Sequence, residues 1–351
     1  MELVIEAIIL DYDHLKIILG GSEESVTMLE SRLPSRTNGL NLPLHPLQFL
    51  VLFVLIYFGL IWNCVTVPAL PTVWQPAGYT ILAVILISHV ITYAVATIID
   101  PADEMISHRL VKGTSASLDR SIHKHAIENN FCYLCECMVG DKSKHCSICN
   151  KCVEVFDHHC VWLNNCVGRK NYRTFIACLF TGLMGSIIIG SINLMLFIAY
   201  FTDKNRGDIL QPYAELLKTS TESQVSTVTT GTAQFYLFFR PAPYEAFLAI
   251  VALTTVMGFI ASGLLVHLLG FHVYLWFKKL TTYELIIQER EKADLEAQRK
   301  ASNPSIQERE EQATTSTSCL KSVKPKRSIV PVSTTSMKEL QQKQKTEYSL
   351  V

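Results

Sequence analysis

Four apolar runs, roughly 47–67, 77–99, 174–200 and 246–277, contain no Lys, Arg, Asp or Glu, and they decide what this chain can become. A helix needs about 20 mostly apolar residues to cross the hydrocarbon core of a bilayer, and each run supplies them. One such run fits a buried helix of a soluble protein; four fit a membrane far better. Composition agrees, since charged residues make up 18% of the chain against about 25% in soluble domains. Hydrophobic residues reach 49% and are clumped rather than periodic. The expected fold is an all-α polytopic membrane protein with four transmembrane helices. The fourth run is long for one crossing, so it is expected to tilt or to leave the membrane before Trp276-Phe277-Lys278-Lys279.

Charge placement sets the orientation. Lys and Arg number none in 68–76, four in 201–243, ten in 100–173 and fourteen from 278 onward. Positive charge collects on the side holding both termini, which the positive-inside rule makes cytosolic. The expected organisation is an N-terminal arm (1–46), helices one and two (47–99), a cytosolic segment (100–173), helices three and four (174–277) around a lumenal loop (201–243), and a tail (278–351). The tail reads as helical and charged over 284–300, then polar and disordered. The opening MELVIEAIIL carries Glu2 and Glu6 and lacks a basic start, so it does not read as a secretory signal. Residues 1–30 read as no more than a short surface helix. Lys+Arg and Asp+Glu balance at 31 each, which argues against a nucleic-acid partner.

Between the second and third runs, eight of the eleven cysteines fall within 132–166, with three of the eleven histidines. A cytosolic face keeps thiols reduced, so these residues are expected to be metal ligands or nucleophiles rather than disulfides. Cys132 and Cys135 form one C-x-x-C turn, Cys146 and Cys149 another; Cys152, His145, His159 and Cys166 complete the supply. Two four-ligand zinc sites fit, and the neighbours His145 and Cys146 suggest that they interleave. Spacing leaves open which ligand belongs to which site. Cys137 fits neither.

Eight ligands leave Cys160 over, directly after Asp157-His158-His159. The thiolate is the reactive form of cysteine, and a neutral thiol with a pKa near 8.5 needs a base. His158 is the candidate base, and Asp157 the carboxylate that would orient its imidazole. Arg169, Lys170 and Arg173 could anchor the start of helix three at the interface.

These residues, with Trp162, Asn165, Gly168, Asn171, Phe175 and Thr281-Thr282-Tyr283-Glu284, resemble the DHHC protein S-acyltransferases over roughly 40–285. Ser143-Lys144-His145-Cys146, Leu163-Asn164-Asn165-Cys166, Asn38-Gly39, Pro43 and His45-Pro46 resemble the subgroup holding the mammalian members numbered one and eleven. The resemblance implies a zinc-binding cysteine-rich domain over about 130–170. One structural zinc would be held by Cys132, Cys135, His145 and Cys152, and a second by Cys146, Cys149, His159 and Cys166. It implies that Cys160 takes an acyl group from palmitoyl-CoA and passes it to cysteines of cytosol-facing, membrane-proximal protein substrates, with Arg169, Lys170 and Arg173 as well suited to meeting the CoA phosphates as to anchoring helix three. His158 would be base, Asp157 its orienting partner, the Thr281-Thr282 motif would pack near that carboxylate, and Trp162 and Phe175 would lie near the mouth of an acyl cavity. Endoplasmic reticulum, Golgi or endosomal membranes are the implied location. Two departures stand out. Met138 to Lys144 replaces the family's Lys/Arg-Pro-x-Arg element, with Asp141 in a usually basic stretch, and no aromatic partner for a C-terminal packing motif follows Asn303.

Rival functions are a membrane adaptor acting through the tail and a RING-type ubiquitin ligase. The latter requires a later C-x-x-C pair, and none follows Cys166. Ser349-Leu350-Val351 has the form that a PDZ groove captures, although such endings are common. Cys319 beside Lys321, Lys324, Lys326 and Arg327 invites acylation or lipid contact, with a solvated basic stretch as the plainer reading. His89, His267 and His272 read as neutral, helix-packed residues, and Asn193 as a hydrogen-bonding residue between helices.

Overall fold

A computed structural model describes residues 35–107, 118, 122–123, 125–222 and 232–302. The expectations for residues 1–30, Cys319, the basic stretch, Asn303 onward and the terminal Ser349-Leu350-Val351 lie outside the described residues. The described chain divides into two units. One is built from Arg36–Ala102 and His159–Tyr274, the other from Asp103–His158 and the segment beginning at Leu275.

The first unit holds the membrane-length helices. Span one, Pro46–Ala69, comprises α1 (Pro46–Ile61), a π-helical turn (Trp62–Thr66) and α2 (Val67–Ala69). Span two is α3 (Gln75–Ile98). A short α4 (Glu104–Ser107) follows, in the second unit. Span three is α5 (Tyr172–Thr202), and span four is α7 (Tyr244–Lys278), unbroken over 35 residues. At about 1.5 Å per residue each exceeds the ~30 Å hydrocarbon thickness. All four expected runs are helices, with ends within about two residues of those expected.

Lipid gives helices no hydrophobic reason to associate, so small and polar residues must hold them together. Gly190 on α5 faces Gly258 on α7 so closely that a Cβ on Gly258 would stand 2.9 Å from the Gly190 Cα. One turn away, the Ser262 hydroxyl donates to Ser186 Oγ at 2.9 Å. Thr66 donates to Asn193 Oδ1 at 3.1 Å, as Asn193's position suggested, and Tyr57 meets Thr254 at 2.8 Å. These bonds tie spans one, three and four. His89 lies 3.1 Å from Thr181 Oγ1 on span three.

The described residues between spans three and four form structure of their own. It contains α6 (Gln211–Glu222) and a hairpin of β8 (Phe235–Leu237) and β9 (Arg240–Ala242). Leu210, Tyr213 and Phe235 are buried with Ile61, Val65, Leu196, Tyr200, Phe247 and Val251, so side chains from this loop close one end of the helix core. The turn from Asp203 is fixed by its buried carboxylate, which accepts the N–H groups of Asp208, Ile209 and Leu210.

The cysteine-rich segment forms small antiparallel ladders. β1 (Ile127–Glu128), β2 (Phe131–Cys132) and β3 (Cys137–Met138) make one sheet. β4 (Lys144–Cys146) pairs with β5 (Lys151–Val153), and β6 (His158–Cys160) with β7 (Asn165–Val167). The final described element is α8 (Thr282–Ser302).

Candidate active site and metal centre

Among the described residues, the second unit buries few large apolar side chains of its own, Val153, Phe156, Leu275 and Leu285 among them. Its buried cluster is Ile106, Cys132, Cys137, Val139 and Cys152, so thiols supply most of its filling. Domains this poor in hydrophobic burial gain folding energy from a bound metal. The strand register presents the ligands. His145 faces Cys152 across β4–β5, while Cys132 opens a tight turn ending at Cys135. Cys137, left without a role by its spacing, sits opposite Cys132 in the β2–β3 ladder and fills the cluster.

The ligand atoms of Cys132, Cys135, His145 and Cys152 all lie within 4.8 Å of one another. A tetrahedral zinc with bonds near 2.3 Å to sulfur and 2.0–2.1 Å to nitrogen requires S···S edges of about 3.8 Å and S···N edges of about 3.6 Å. The Cys152–Cys135 sulfurs are 3.8 Å apart, and His145 Nδ1 lies 3.3, 3.7 and 3.8 Å from Cys135, Cys132 and Cys152. These residues fit zinc. The thiols also compete for charge. Hydrogen bonds from Cys135 and Cys152 hold Cys132 far below the usual thiol range, while sharing with Cys132 pushes Cys135 up to about 12 and Cys152 higher still. A divalent cation relieves that competition by taking all the thiolates at once.

The remaining candidate ligands have comparable local geometry. Cys146 and Cys149 are buried on the turn from β4 to β5. His159 and Cys166 lie on β6 and β7 with Nδ1 3.5 Å from Sγ, another zinc-like S···N edge.

Asp157 is buried, with its carboxylate 2.7 Å from His158 Nδ1. Three further bonds fix it, and they explain the Thr281-Thr282-Tyr283-Glu284 motif residue by residue. Thr282 donates its backbone N–H to Asp157 Oδ1 at 3.0 Å and its hydroxyl to Oδ2 at 2.7 Å. The Tyr283 N–H donates to the Asp157 carbonyl at 3.1 Å. Thr281 and Glu284 form a reciprocal capping box for α8: Thr281 N donates to Glu284 Oε2 at 2.8 Å, and Glu284 N to Thr281 Oγ1 at 3.1 Å. Glu284 also pairs with Lys142 at 2.8 Å. Burial alone would raise the Glu284 carboxyl, but the Lys142 ammonium and the Thr281 groups hold it below its ordinary value. Asp141, the departure from a basic stretch, accepts from Asn130 Nδ2.

Asp103 escaped sequence reasoning. Its buried carboxylate accepts from Gly140 N and the Ser143 hydroxyl on one oxygen and from Met105 N on the other. Its partners lie up to 40 residues away, so no local spacing announced it.

In the first unit, Cys160 is buried in an apolar cluster with Ala96, Leu163, Val167, Phe175 and Leu179. Tyr93, Tyr172, Ile176, Leu265, Leu268 and Leu269 border it, so three membrane helices contribute. Phe175 and His272 meet edge to face at 5.1 Å, and His272 Nδ1 lies 3.3 Å from the Tyr172 hydroxyl. Trp162 is exposed, and its carbonyl accepts from the Tyr93 hydroxyl. Arg169 is exposed; Lys170 donates to the Ala102 carbonyl at 2.7 Å.

The β6–β7 hairpin is bolted to the end of α3, whose last carbonyls have no intrahelical partner. Asn165 Nδ2 donates to Thr97 O at 3.1 Å and Ile99 O at 2.9 Å, and Asn171 Nδ2 to Ala96 O at 3.2 Å. The Gly39 N–H takes Thr97 O at 2.8 Å. Gly39 has room for nothing more: a Cβ there would stand 2.0 Å from Leu163 O. His45 caps α1 with Gln48 in a reciprocal box, and Gln48 reaches the carbonyls of Gly39 and Leu163.

Comparison with known proteins follows the same residues. Residues 125–289 match the family model described as DHHC palmitoyltransferase. Palmitoyltransferase ZDHHC1 of Danio rerio is 38% identical over 283 residues, covering 80% of this chain and 47% of that protein. Palmitoyltransferase ZDHHC11 of Homo sapiens is 34% identical over 78% of this chain and 64% of its own length. That of Mus musculus is 32% identical over 78% and 76%. The chain thus spans about half the length of the ZDHHC1 relatives it matches. It belongs to the DHHC palmitoyltransferase family.

Proposed function

We propose that this chain is a protein S-palmitoyltransferase working through an acyl-enzyme on Cys160. The observation that carries the reading is the buried Asp157, held by Thr282 and 2.7 Å from His158 Nδ1, two residues before a cysteine that the metal sites do not require. The apolar surroundings of Cys160 suit a long acyl chain, whose burial is worth about 0.8 kcal/mol per CH₂.

His158 takes the proton of the Cys160 thiol, and the sulfur attacks the thioester carbonyl of a long-chain acyl-CoA. The bond to Cys160 forms, the bond to the CoA sulfur breaks, and the proton on His158 leaves with CoA. A substrate cysteine then gives its proton to His158 and attacks the acyl-enzyme; Cys160 departs and recovers that proton. Asp157 keeps the imidazole oriented throughout. Cys132, Cys135, His145 and Cys152 would hold one zinc, and Cys146, Cys149, His159 and Cys166 a second. Both shells are closed, so zinc supplies architecture rather than a reacting centre. The excess of Lys and Arg in 100–173 and beyond 278 supports a cytosolic site; family membership suggests endoplasmic reticulum or Golgi membranes and protein substrates presenting membrane-proximal cysteines.

The test is acyl-enzyme formation with a clickable palmitoyl-CoA analogue, using purified zinc-loaded protein beside Cys160→Ala. A hydroxylamine-sensitive label present in the wild type and absent from the variant is the expected result. An unlabelled, folded wild type would overturn the reading.

A further inference from the structure

The cysteine-rich segment repeats three times at an interval of 14 residues. Cys132, Cys146 and Cys160 occupy one register. Three residues further stand Cys135, Cys149 and Leu163. The next register holds Glu136, Asn150 and Asn164, and all three take left-handed backbone, with φ of 51°, 49° and 51°. Such a conformation is uncommon outside glycine, so its recurrence at one register marks a shared turn rather than chance. Before the first cysteine stand Phe131, His145 and His159; six residues after it stand Met138, Cys152 and Cys166; Val139, Val153 and Val167 follow. Each repeat is the same strand–turn–strand unit: β2–β3, β4–β5 and β6–β7.

With the ligand sets proposed above, on which this inference rests, the repeats make a ladder. Each Cys-x-x-Cys turn is completed by the histidine and the last cysteine of the repeat that follows. The ends of the ladder differ accordingly. The first repeat has no turn before it, and Phe131 and Met138 fill its completing positions with apolar side chains. The last has no repeat after it, since the corresponding positions are Arg173 and Phe180 on α5. Its own turn carries Leu163 where the earlier two carry a second thiol. The thiol proposed to react is therefore a zinc-turn cysteine at the open end of the ladder.

We infer that Leu163 is a positioning residue that keeps Cys160 a nucleophile by denying the third turn its second thiolate. Soft divalent cations bind the paired thiolates of such a turn, and a thiolate whose lone pair is committed to a metal is withdrawn from attack on a carbonyl. A single thiol in the same turn cannot chelate. The backbone shows the change of use. In the first turn the Cys135 N–H donates to Cys132 Sγ at 3.4 Å, while in the third the Leu163 N–H donates to the Cys160 carbonyl at 3.2 Å. Leu163 is 3% exposed and packs in the same apolar cluster as Cys160, so the position that would ligate a metal instead contributes to a surface fit for an acyl chain.

The experiment compares wild type, Leu163→Cys, Leu163→Val and Leu163→Ala as full chains in detergent with structural zinc in place. Leu163→Cys should take up zinc or cobalt titrated in beyond the structural sites, with solvent completing the shell that Arg173 and Phe180 cannot, where wild type takes up none. Cobalt added to it should give a thiolate-to-metal charge-transfer band that the other three lack. Its autoacylation should be mostly lost with the extra metal bound and return after a mild chelator that spares the structural zinc. Leu163→Val and Leu163→Ala, which change the packing without gaining a thiol, should show the wild-type metal content and an autoacylation rate, whatever its level, that neither added metal nor chelator alters. Leu163→Cys with wild-type metal content and activity would overturn the inference. So would a loss of activity without metal uptake that chelator leaves unchanged, because Leu163 would then act by packing alone. A wild type that never acylates at Cys160 would sink the acyl-transfer reading instead, while the metal count would still test the role of Leu163.

Discussion

Thr282→Val replaces a hydroxyl with a methyl of nearly the same size and removes one of the donors that hold Asp157. The wild-type carboxylate receives the Thr282 N–H at 3.0 Å, the Thr282 hydroxyl at 2.7 Å and the His158 contact at 2.7 Å. A hydrogen bond to a charged group contributes about 1.5–3 kcal/mol. The backbone donor survives the substitution, so the lower end applies, near 1.5 kcal/mol. If the bond orients Asp157 for catalysis, that amount slows acyl-enzyme formation about tenfold. Thr282→Ser keeps the hydroxyl and should stay within about twofold of wild type. Single-turnover labelling of Cys160 measures the rate, and zinc content with thermal melting separates a catalytic loss from unfolding. A Thr282→Val protein that acylates at the wild-type rate would refute the argument that this motif sets the carboxylate.

Two other outcomes are expected. Asn165→Ala removes the side-chain donor from the α3 carbonyls of Thr97 and Ile99; Thr97 O keeps the Gly39 N–H, so the loss should be about 1–3 kcal/mol, from the Ile99 carbonyl left unpaired. Asn165→Asp should be worse, since it turns a carboxylate toward those carbonyls; thermal unfolding in detergent gives the ranking. Glu284 sets the acid limit of the α8 junction. Its folded carboxyl lies below the ordinary 4.5, so the pairing with Lys142 and Thr281 contributes stability above 4.5 and loses it as pH falls through the depressed value. Unfolding followed by α8 protease sensitivity should show that acid loss in wild type, and Glu284→Gln should flatten it.

How much of this was legible in the sequence depends on how far each residue's partners lie along the chain. The spans could be read because a charge-free run describes itself. The Cys/His clusters that could hold a metal were legible because a tight turn fixes its two thiols locally. The hairpin β8–β9 could not: its turn places Phe238 and Phe239 at φ of 51° and 62°, where Asn-Gly would be the local signal. The burial of Phe235 against residues from the spans overrides that preference. Asp103 and Asn165 were obscure for a similar reason, since their carboxylate and amide serve groups roughly 40 and 68 residues away. The 14-residue repeat was visible in principle, but Leu163 breaks the pattern at the position that matters most.

The amides of Asn165 and Asn171 fasten the hairpin carrying Cys160 to the final carbonyls of a membrane helix, so the sulfur cannot rise or sink independently of that helix. The protein thereby carries its own altitude mark. If Cys160 carries the acyl group as proposed, a target thiol must come to the height that this helix sets, whatever residues flank it. Selection then works by distance from the bilayer: lengthening or shortening the spacer between a target's membrane anchor and its cysteine would change the outcome more than altering the letters around it.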